Sequence, residues 1–398
     1  MRVLLALLLL AAAPERLEIE ARHGKSFRGK LDGMKVLVLR GTQAERGEAQ
    51  GVLGAKEIVQ ILDQALLPMI QARRPGAWDS DFVPAARKFT WPARFQAEIE
   101  AMLAGLRKSL PDPKDRTIRT LGREIGIDDL KALNSLSDIL GTGCSSFSAW
   151  GSRTPDGEVI TGRNADYAAF PVAGHMFLLA IDPAENDLQP TLDIGLFGSV
   201  GAGTALNGDR AFLALHDEAG LPGKKATGWM PRSIALREAI EKARGASAVE
   251  DIAAVLRKST TKVGNNVHVS GPRPLVPSVV EWDGNAEGSG VTVRKPEGEL
   301  LTCTNHYVAR AKRDAAESQG RAERLARGAE GKKVDFELSK SLLDSVAKNG
   351  GTVTHFSVVA WPAARRMAVA VSPQNGVSAT RGTWRIVEWA DIFGARPE

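Results

Sequence analysis

The 398-residue chain is 43% hydrophobic and 25% charged. That balance excludes an intrinsically disordered chain and leaves room for one large domain or two ordinary ones. Its formal net charge of +5 is too small and too dispersed for a nucleic-acid binder, and the densest basic stretch, residues 310–333, is interleaved with glutamate and alanine like a solvated helix face.

The chain opens with Met1-Arg2, an apolar run from Val3 to Ala13, and then Pro14-Glu15-Arg16. A short basic start, an apolar stretch and small residues before polar sequence describe a secretory signal peptide, residues 1–13, cut after Ala13. The run is shorter than the roughly 20 residues that span a bilayer, so stable membrane insertion is not expected. Export to a bacterial periplasm or an extracellular space is. Leu17 to Arg40 reads as extended, with turns at Gly29 and Asp32-Gly33. Apolar residues at three- and four-residue steps then predict helices over 47–73, 92–110 and 120–140. Residues 14–143 are therefore expected to form a mostly helical segment ahead of a domain at 144–398.

That domain opens on Gly141-Thr142-Gly143-Cys144-Ser145-Ser146. An alternating run from Cys144 to Trp150 meets a turn at Thr154-Pro155-Asp156-Gly157, and a second strand leads into Gly162-Arg163-Asn164-Ala165-Asp166. The two runs read as a β-hairpin. Its closure returns Arg163 and Asp166 to the neighbourhood of Cys144, and a nearby cation favours a thiolate nucleophile. A lone strand cysteine is also, commonly, a small buried hydrophobe. Beyond the hairpin, short strands (176–182, 192–197, 211–214) precede two amphipathic helices (232–244, 248–258). Strands at 279–282, 290–294 and 299–304, helices at 308–327 and 335–347, and strands at 352–361 and 366–371 follow. The glycine-rich Gly201 to Gly208 reads as a turn; no GKS or GKT follows it, which speaks against a phosphate loop. This order supports an α+β fold.

The Cys144 hairpin resembles the N-terminal-nucleophile hydrolases, in the isopenicillin-N acyltransferase-like branch and its choloylglycine hydrolase and acid ceramidase relatives. There a cysteine starts one strand and Gly-Arg-Asn-x-Asp ends the next. Thr304-Asn305-His306-Tyr307 is similar to the Thr-Asn-His-aromatic motif of the same branch. The resemblance implies a four-layer αββα sandwich and autocleavage between Gly143 and Cys144. It also implies catalysis by the freed α-amine as base, with Asp166 holding that amine, Arg163 favouring the thiolate and Asn305 donating to the oxyanion. Gly143 has no side chain to obstruct attack on its carbonyl. The second oxyanion donor stays open: Ala205-Leu206-Asn207 lacks the family's glycine, and the corresponding position falls on His216 or Asp217, with His216 taken as a guess.

An α-amine titrates near 7.7 to 8, close to working pH, which suits a general base. None of the six histidines stands in a context that marks it as a partner of Cys144, and the histidines and cysteines lack ligand-pair spacing, so neither metal nor cofactor is expected. In an exported protein Cys144 and Cys303 could pair; the resemblance favours a free Cys144. The implied activity is hydrolysis or transfer of a small-molecule, linear, non-peptide acyl amide through a thioester on Cys144. An ester hydrolase of the same fold, and an uncleaved, silent envelope binding protein, remain alternatives. Neither the acyl and amine groups nor the oligomeric state is readable.

Overall fold

A computed structural model describes residues 16–140, 143–218, 228–283, 290–310 and 315–394. The expected export segment, residues 1–13, lies outside them. The described chain begins with strands: β1 (Leu17–His23), β2 (Ser26–Leu31) and β3 (Met34–Gly41) form an antiparallel meander. This corrects the expectation of a mostly helical segment at 14–143. The extended run is not an appendage but the edge of the main sheet. Helices follow it: α1 (Gln43–Leu53), α2 (Ala55–Gln60), α3 (Leu67–Arg73), α4 (Val83–Arg87) and α5 (Ala93–Ser109). A small pair, β4 (Thr117–Ile118) and β5 (Arg123–Glu124), precedes α6 (Ile127–Asn134) and α7 (Leu136–Leu140).

Thr42 and Glu45 start α1 with a reciprocal capping box, which satisfies two orphan N–H groups. Gly47 and Gly51 then let α1 lie directly on α5. A Cβ at either would stand 2.2 Å from the Glu98 carbonyl oxygen or 2.0 Å from that of Met102.

From Gly143 strands dominate. They are β6 (Gly143–Ala149), β7 (Ile160–Ala168), β8 (Met176–Pro183), β9 (Thr191–Leu196), β10 (Thr204–Asn207) and β11 (Phe212–Glu218). Helices α8 (Arg232–Lys242) and α9 (Ala248–Lys258) lead to β12 (Gly264–Ser270), β13 (Ser278–Trp282), β14 (Val291–Arg294) and β15 (Leu300–Cys303). Helices α10 (Ala316–Ala329) and α11 (Phe336–Ser345), strands β16 (Thr352–Trp361), β17 (Arg366–Val371) and β18 (Arg385–Glu388), and α12 (Trp389–Phe393) complete the described chain. Two expectations change here: the segment 201–208 contains a strand, β10, and the helix expected at 308–327 is α10, Ala316–Ala329. Strand β12 has no counterpart among the expected elements, because Gly264-Asn265-Asn266 disguises its start.

Among the described residues the strands form a ten-stranded sheet, β1-β2-β3-β8-β9-β10-β11-β12-β13-β14, and a six-stranded sheet, β15-β6-β7-β16-β17-β18. The sheets share a core in which Phe27, Val38 and Leu178 of the larger meet Ala165, Phe356 and Val358 of the smaller. The helices before β6 cover one stretch of the outer face of the large sheet, over Leu37, Leu39 and Leu179, and α8 and α9 cover another. Leu325 of α10 and Leu342 and Leu343 of α11 pack on Phe147 and Val359, on the outer face of the small sheet. The result is a mixed α+β fold built on two large sheets, with helices outside both. No described helix is long and apolar enough to cross a membrane.

Candidate active site

Register places Cys144. In the β6–β7 ladder Gly143 stands opposite Asp166, Cys144 opposite Ala165, and Ser146 opposite Arg163. Opposed residues of an antiparallel pair share a face. The side chains of Cys144, Ser146, Arg163 and Tyr167 therefore look toward the ten-stranded sheet, while Ser145, Asn164 and Asp166 look toward α10 and α11. Gly162 is a glycine because a Cβ there would stand 2.4 Å from the Phe147 ring.

On the thiol face Arg163 donates from Nη2 to Cys144 Sγ at 3.3 Å and from Nη1 to the Leu215 carbonyl oxygen at 2.5 Å. Cys144 has no exposed surface and Arg163 is 1% exposed. Burial pushes the thiol pKa up and outweighs Arg163, which pulls it down; Asp166 and Asp217 add to the rise. The thiol is thus at rest, beside the cation expected to activate it. Cys303 is also buried and free, with its pKa pushed up to about 12 by burial.

On the other face Asp166 Oδ1 accepts from Thr354 Oγ1 at 2.6 Å. Its Oδ2 has no hydrogen-bond partner among the described residues and lies 3.7 Å from where a Cβ on Gly143 would be. Burial raises the Asp166 pKa against the Thr354 hydroxyl, Arg321 and Lys348. The Cys144 backbone N–H itself goes to Asn305 Oδ1 at 2.9 Å, and Asn305 Nδ2 donates to the Asp217 carbonyl oxygen at 2.7 Å. Asp217 in turn forms a close ion pair with Arg232, a fully buried residue that also donates to Asn265 Oδ1 at 2.9 Å.

Sequence reasoning missed Arg321. Its Nη1 donates to the Cys144 carbonyl oxygen at 2.5 Å and to Ser145 Oγ at 2.8 Å, and its Nη2 donates to Asn305 Oδ1 at 2.9 Å. Its Nε is held by Glu317 at 3.0 Å. The signal was present: the buried positions of α10 are Ser318, Arg321, Leu325 and Ala329, so the apolar stripe through Leu325 and Ala329, continued backwards at helical spacing, lands on Arg321.

His216 belongs to a different assembly. Its Nδ1 faces the carbonyl oxygens of Ala214 and Asn266, 3.2 and 3.4 Å away. Carbonyls only accept, so Nδ1 carries the proton and Nε2 accepts from Ser146 Oγ at 2.8 Å. Ser146 then accepts from His268 Nδ1 at 2.7 Å, and His268 Nε2 accepts from Ser148 Oγ at 2.8 Å. Burial drives the pKa of His216 well below the ordinary value, and that of His268 to about 3. This neutral chain ties the two sheets together. The hydrogen bonds of His216 are committed to Ser146 and the backbone, not turned to the Cys144 sulfur.

A cavity of about 390 Å³ adjoins the site. Its wall includes Gly143, Tyr167, Leu215 and Phe356 beside Leu133, Phe170 and Met176, with Arg73 and Asp193 as its charged members. Cys144 is not part of that wall. Asp193 accepts from the backbone N–H groups of Ile194, Gly203 and Thr204, yet burial still pushes its pKa up to about 7. Among the described residues no cluster of histidine, cysteine or carboxylate side chains could hold a metal ion.

No family model and no curated protein matches the sequence. Similar solved structures include an N-acylethanolamine-hydrolyzing acid amidase ortholog from Caenorhabditis elegans, 17% identical, covering 55% of this chain and 93% of that one, with a TM-score of 0.42. A mutant of the conjugated bile acid hydrolase from Clostridium perfringens is 11% identical, covering 62% and 98%, also at 0.42. The penicillin V acylase from Agrobacterium tumefaciens is 9% identical, covering 62% and 86%, at 0.42. Likenesses this loose carry no argument about what this chain is or does.

Proposed function

We propose that the protein is an N-terminal cysteine amidohydrolase or acyltransferase, activated by cleavage between Gly143 and Cys144. One observation carries the reading: the sulfur and the nitrogen of Cys144 are both engaged, Sγ by Arg163 Nη2 at 3.3 Å and the N–H by Asn305 Oδ1 at 2.9 Å. Activation starts with addition of Sγ to the Gly143 carbonyl carbon. The acyl group shifts from nitrogen to sulfur, and water cleaves the resulting thioester, leaving a Gly143 carboxylate and a Cys144 α-amine. Withdrawal of the new Gly143 carboxylate end from Cys144, with the rest of the preceding chain still docked, exposes the thiol to the cavity and weakens the burial that raises its pKa.

In turnover the α-amine takes the thiol proton, with Asp166 holding the resulting ammonium and Arg163 favouring the thiolate. Sγ adds to the carbonyl carbon of a bound amide, and the π pair moves onto oxygen, where the Asn305 amide donates. Collapse breaks the C–N bond, and the ammonium of Cys144 gives its proton to the leaving amine. Water, or an acceptor amine, then takes the acyl group from sulfur. The largely apolar wall fits an apolar acyl group on a linear amide. The segment at residues 1–13 supports export, so protein recovered from its source is expected to lack those residues.

One observation favours a second reading. Cys144 is sealed from a cavity that is already formed, as in an uncleaved binding protein. Incubating the protein with straight-chain acyl p-nitroanilides and reading intact mass separates the two. An acyl adduct on a fragment that begins at Cys144 supports the enzyme. A full-length chain that binds the acyl group without modification supports the silent protein and contradicts the enzyme.

A further inference from the structure

We propose that Tyr167 is a catalytic residue whose phenolic O–H is the second donor to the oxyanion formed when Cys144 attacks a bound acyl carbonyl. The proposal rests on the reading of Cys144 as nucleophile. Cys144 stands opposite Ala165, so the diagonal positions on its own face of the ladder are Arg163 and Tyr167, one on each side. Diagonal positions are about 7–8 Å apart, within reach of long and aromatic side chains. Arg163 spans that gap and meets the sulfur at 3.3 Å. Tyr167 holds the mirror-image position.

Its surroundings fit a donor. Tyr167 lines the cavity together with Gly143, the residue that precedes the thiol. A tyrosine this far inside a protein usually finds a hydrogen-bond partner, yet its hydroxyl has none among the described residues and is not sealed in protein. The ring is steadied by His355, whose ring centroid lies 5.8 Å away. His355 occupies the bulge between Thr354 and Phe356 and hydrogen-bonds through Nε2 to the Ala168 carbonyl oxygen at 2.9 Å. Burial, then Cys144 and Asp217, raise the phenol pKa, while Arg163 and Arg232 oppose the rise. The group therefore stays protonated, as an oxyanion donor must. His216 does not fill the position, because its Nε2 is taken up by Ser146.

During acylation the C–S bond forms as the carbonyl π pair moves to oxygen. Tyr167 donates a hydrogen bond to that oxygen and keeps its proton. When the pair returns, the C–N bond breaks and the amine leaves with the proton carried by the Cys144 ammonium.

The test compares processed wild type with Tyr167→Phe, which removes only the hydroxyl. The substrates are straight-chain acyl p-nitroanilides from butanoyl to decanoyl. The probes are the matched aldehydes, which add Sγ to carbon and pass the thiol proton to oxygen, and the matched carboxylic acids as ground-state ligands. The expected result is a kcat lowered about a hundredfold, with KM little changed. Aldehyde inhibition should weaken by a similar factor, and acid binding should be unchanged, which also certifies a folded cavity. Equal kcat and equal aldehyde affinity in the two proteins would overturn the role of Tyr167 and leave the nucleophile standing. Parallel loss of acid and aldehyde binding would make Tyr167 a wall residue and overturn it too. A wild type inert to every anilide and aldehyde would overturn the nucleophile, and this proposal with it.

Discussion

Arg163 and Cys144 meet across the β6–β7 ladder, with Nη2 3.3 Å from Sγ and both side chains buried. The guanidinium lowers the thiol pKa, but burial raises it more. On the proposed mechanism reactivity is set by how much of the chain covers the sulfur, and the cation is expected to prevail in the cleaved protein. Arg163→Lys keeps the charge but cannot hold both Sγ and the Leu215 carbonyl with one planar fork. In cleaved protein it is expected to slow acylation at least about tenfold and to move the pH profile of iodoacetamide alkylation at Cys144 upward. An unchanged profile would remove Arg163 from thiol activation.

Asp166 offers Oδ2 without a partner among the described residues, across the ladder from Gly143. Asp166→Asn in cleaved protein should lower single-turnover acylation by at least about tenfold. Cys303→Ser is the control, since burial pushes the pKa of that thiol up to about 12 and the proposed mechanism assigns it no chemical step. A dead Cys303→Ser beside a fully active Asp166→Asn would mean that the wrong cysteine has been chosen.

Arg321 links three acceptors, Cys144 O, Ser145 Oγ and Asn305 Oδ1, through one guanidinium. Arg321→Met keeps the stem and strips all three acceptors of that donor. It is expected to cost about 3 kcal/mol in urea denaturation, and to slow cleavage at Gly143–Cys144, because the Asn305 amide loses one of its anchors. Wild-type stability together with wild-type cleavage would show these contacts to be incidental.

Much of this site was legible and some was not, for physical reasons. Cys144, Arg163 and Asp166 sit within one hairpin, where turn chemistry and alternation specify the register locally. Asn305 arrives from the bend after β15, far along the chain, and only its motif placed it. Arg321 was hidden by composition: on a basic, alanine-rich helix a buried arginine looks like its solvated neighbours unless the apolar stripe is traced through it. His216 was chosen by its place in the chain, but burial next to Ser146 gave it a sheet-joining partner. The meander β1–β3 was visible as extended chain. Its parallel pairing with β8, Val36 against Leu178, depends on contacts more than a hundred residues apart, which local pattern does not encode.

Two buried groups give opposite pH dependences. Asp193 titrates near 3.9 when unfolded and at about 7 when folded. The folded chain holds that proton more tightly, so the contribution is complete at low pH and is lost as pH rises toward 7. His268 titrates near 6.5 unfolded and at about 3 folded; its contribution is complete above about 6.5 and is lost as pH falls toward 3. Urea midpoints measured from about pH 4 to about pH 8 should show opposite slope changes over the same acid-to-neutral range: Asp193→Asn removes the loss of stability with rising pH between about pH 4 and about pH 7, and His268→Gln removes the loss with falling pH below about pH 6.5. Variants that keep the wild-type slopes would contradict both assignments.

The central claim is that Cys144 becomes an N-terminus. Purified full-length protein should resolve on a denaturing gel into two pieces, and N-terminal sequencing of the larger should begin Cys144-Ser145-Ser146. Under native conditions the pieces should elute together, because β3 pairs with β8 and the Arg232 backbone N–H of α8 donates to Asp138 of α7 across the cut. Cys144→Ala should give one band. A single uncut chain that nevertheless hydrolyses amides at Cys144 would contradict the free-amine mechanism outright.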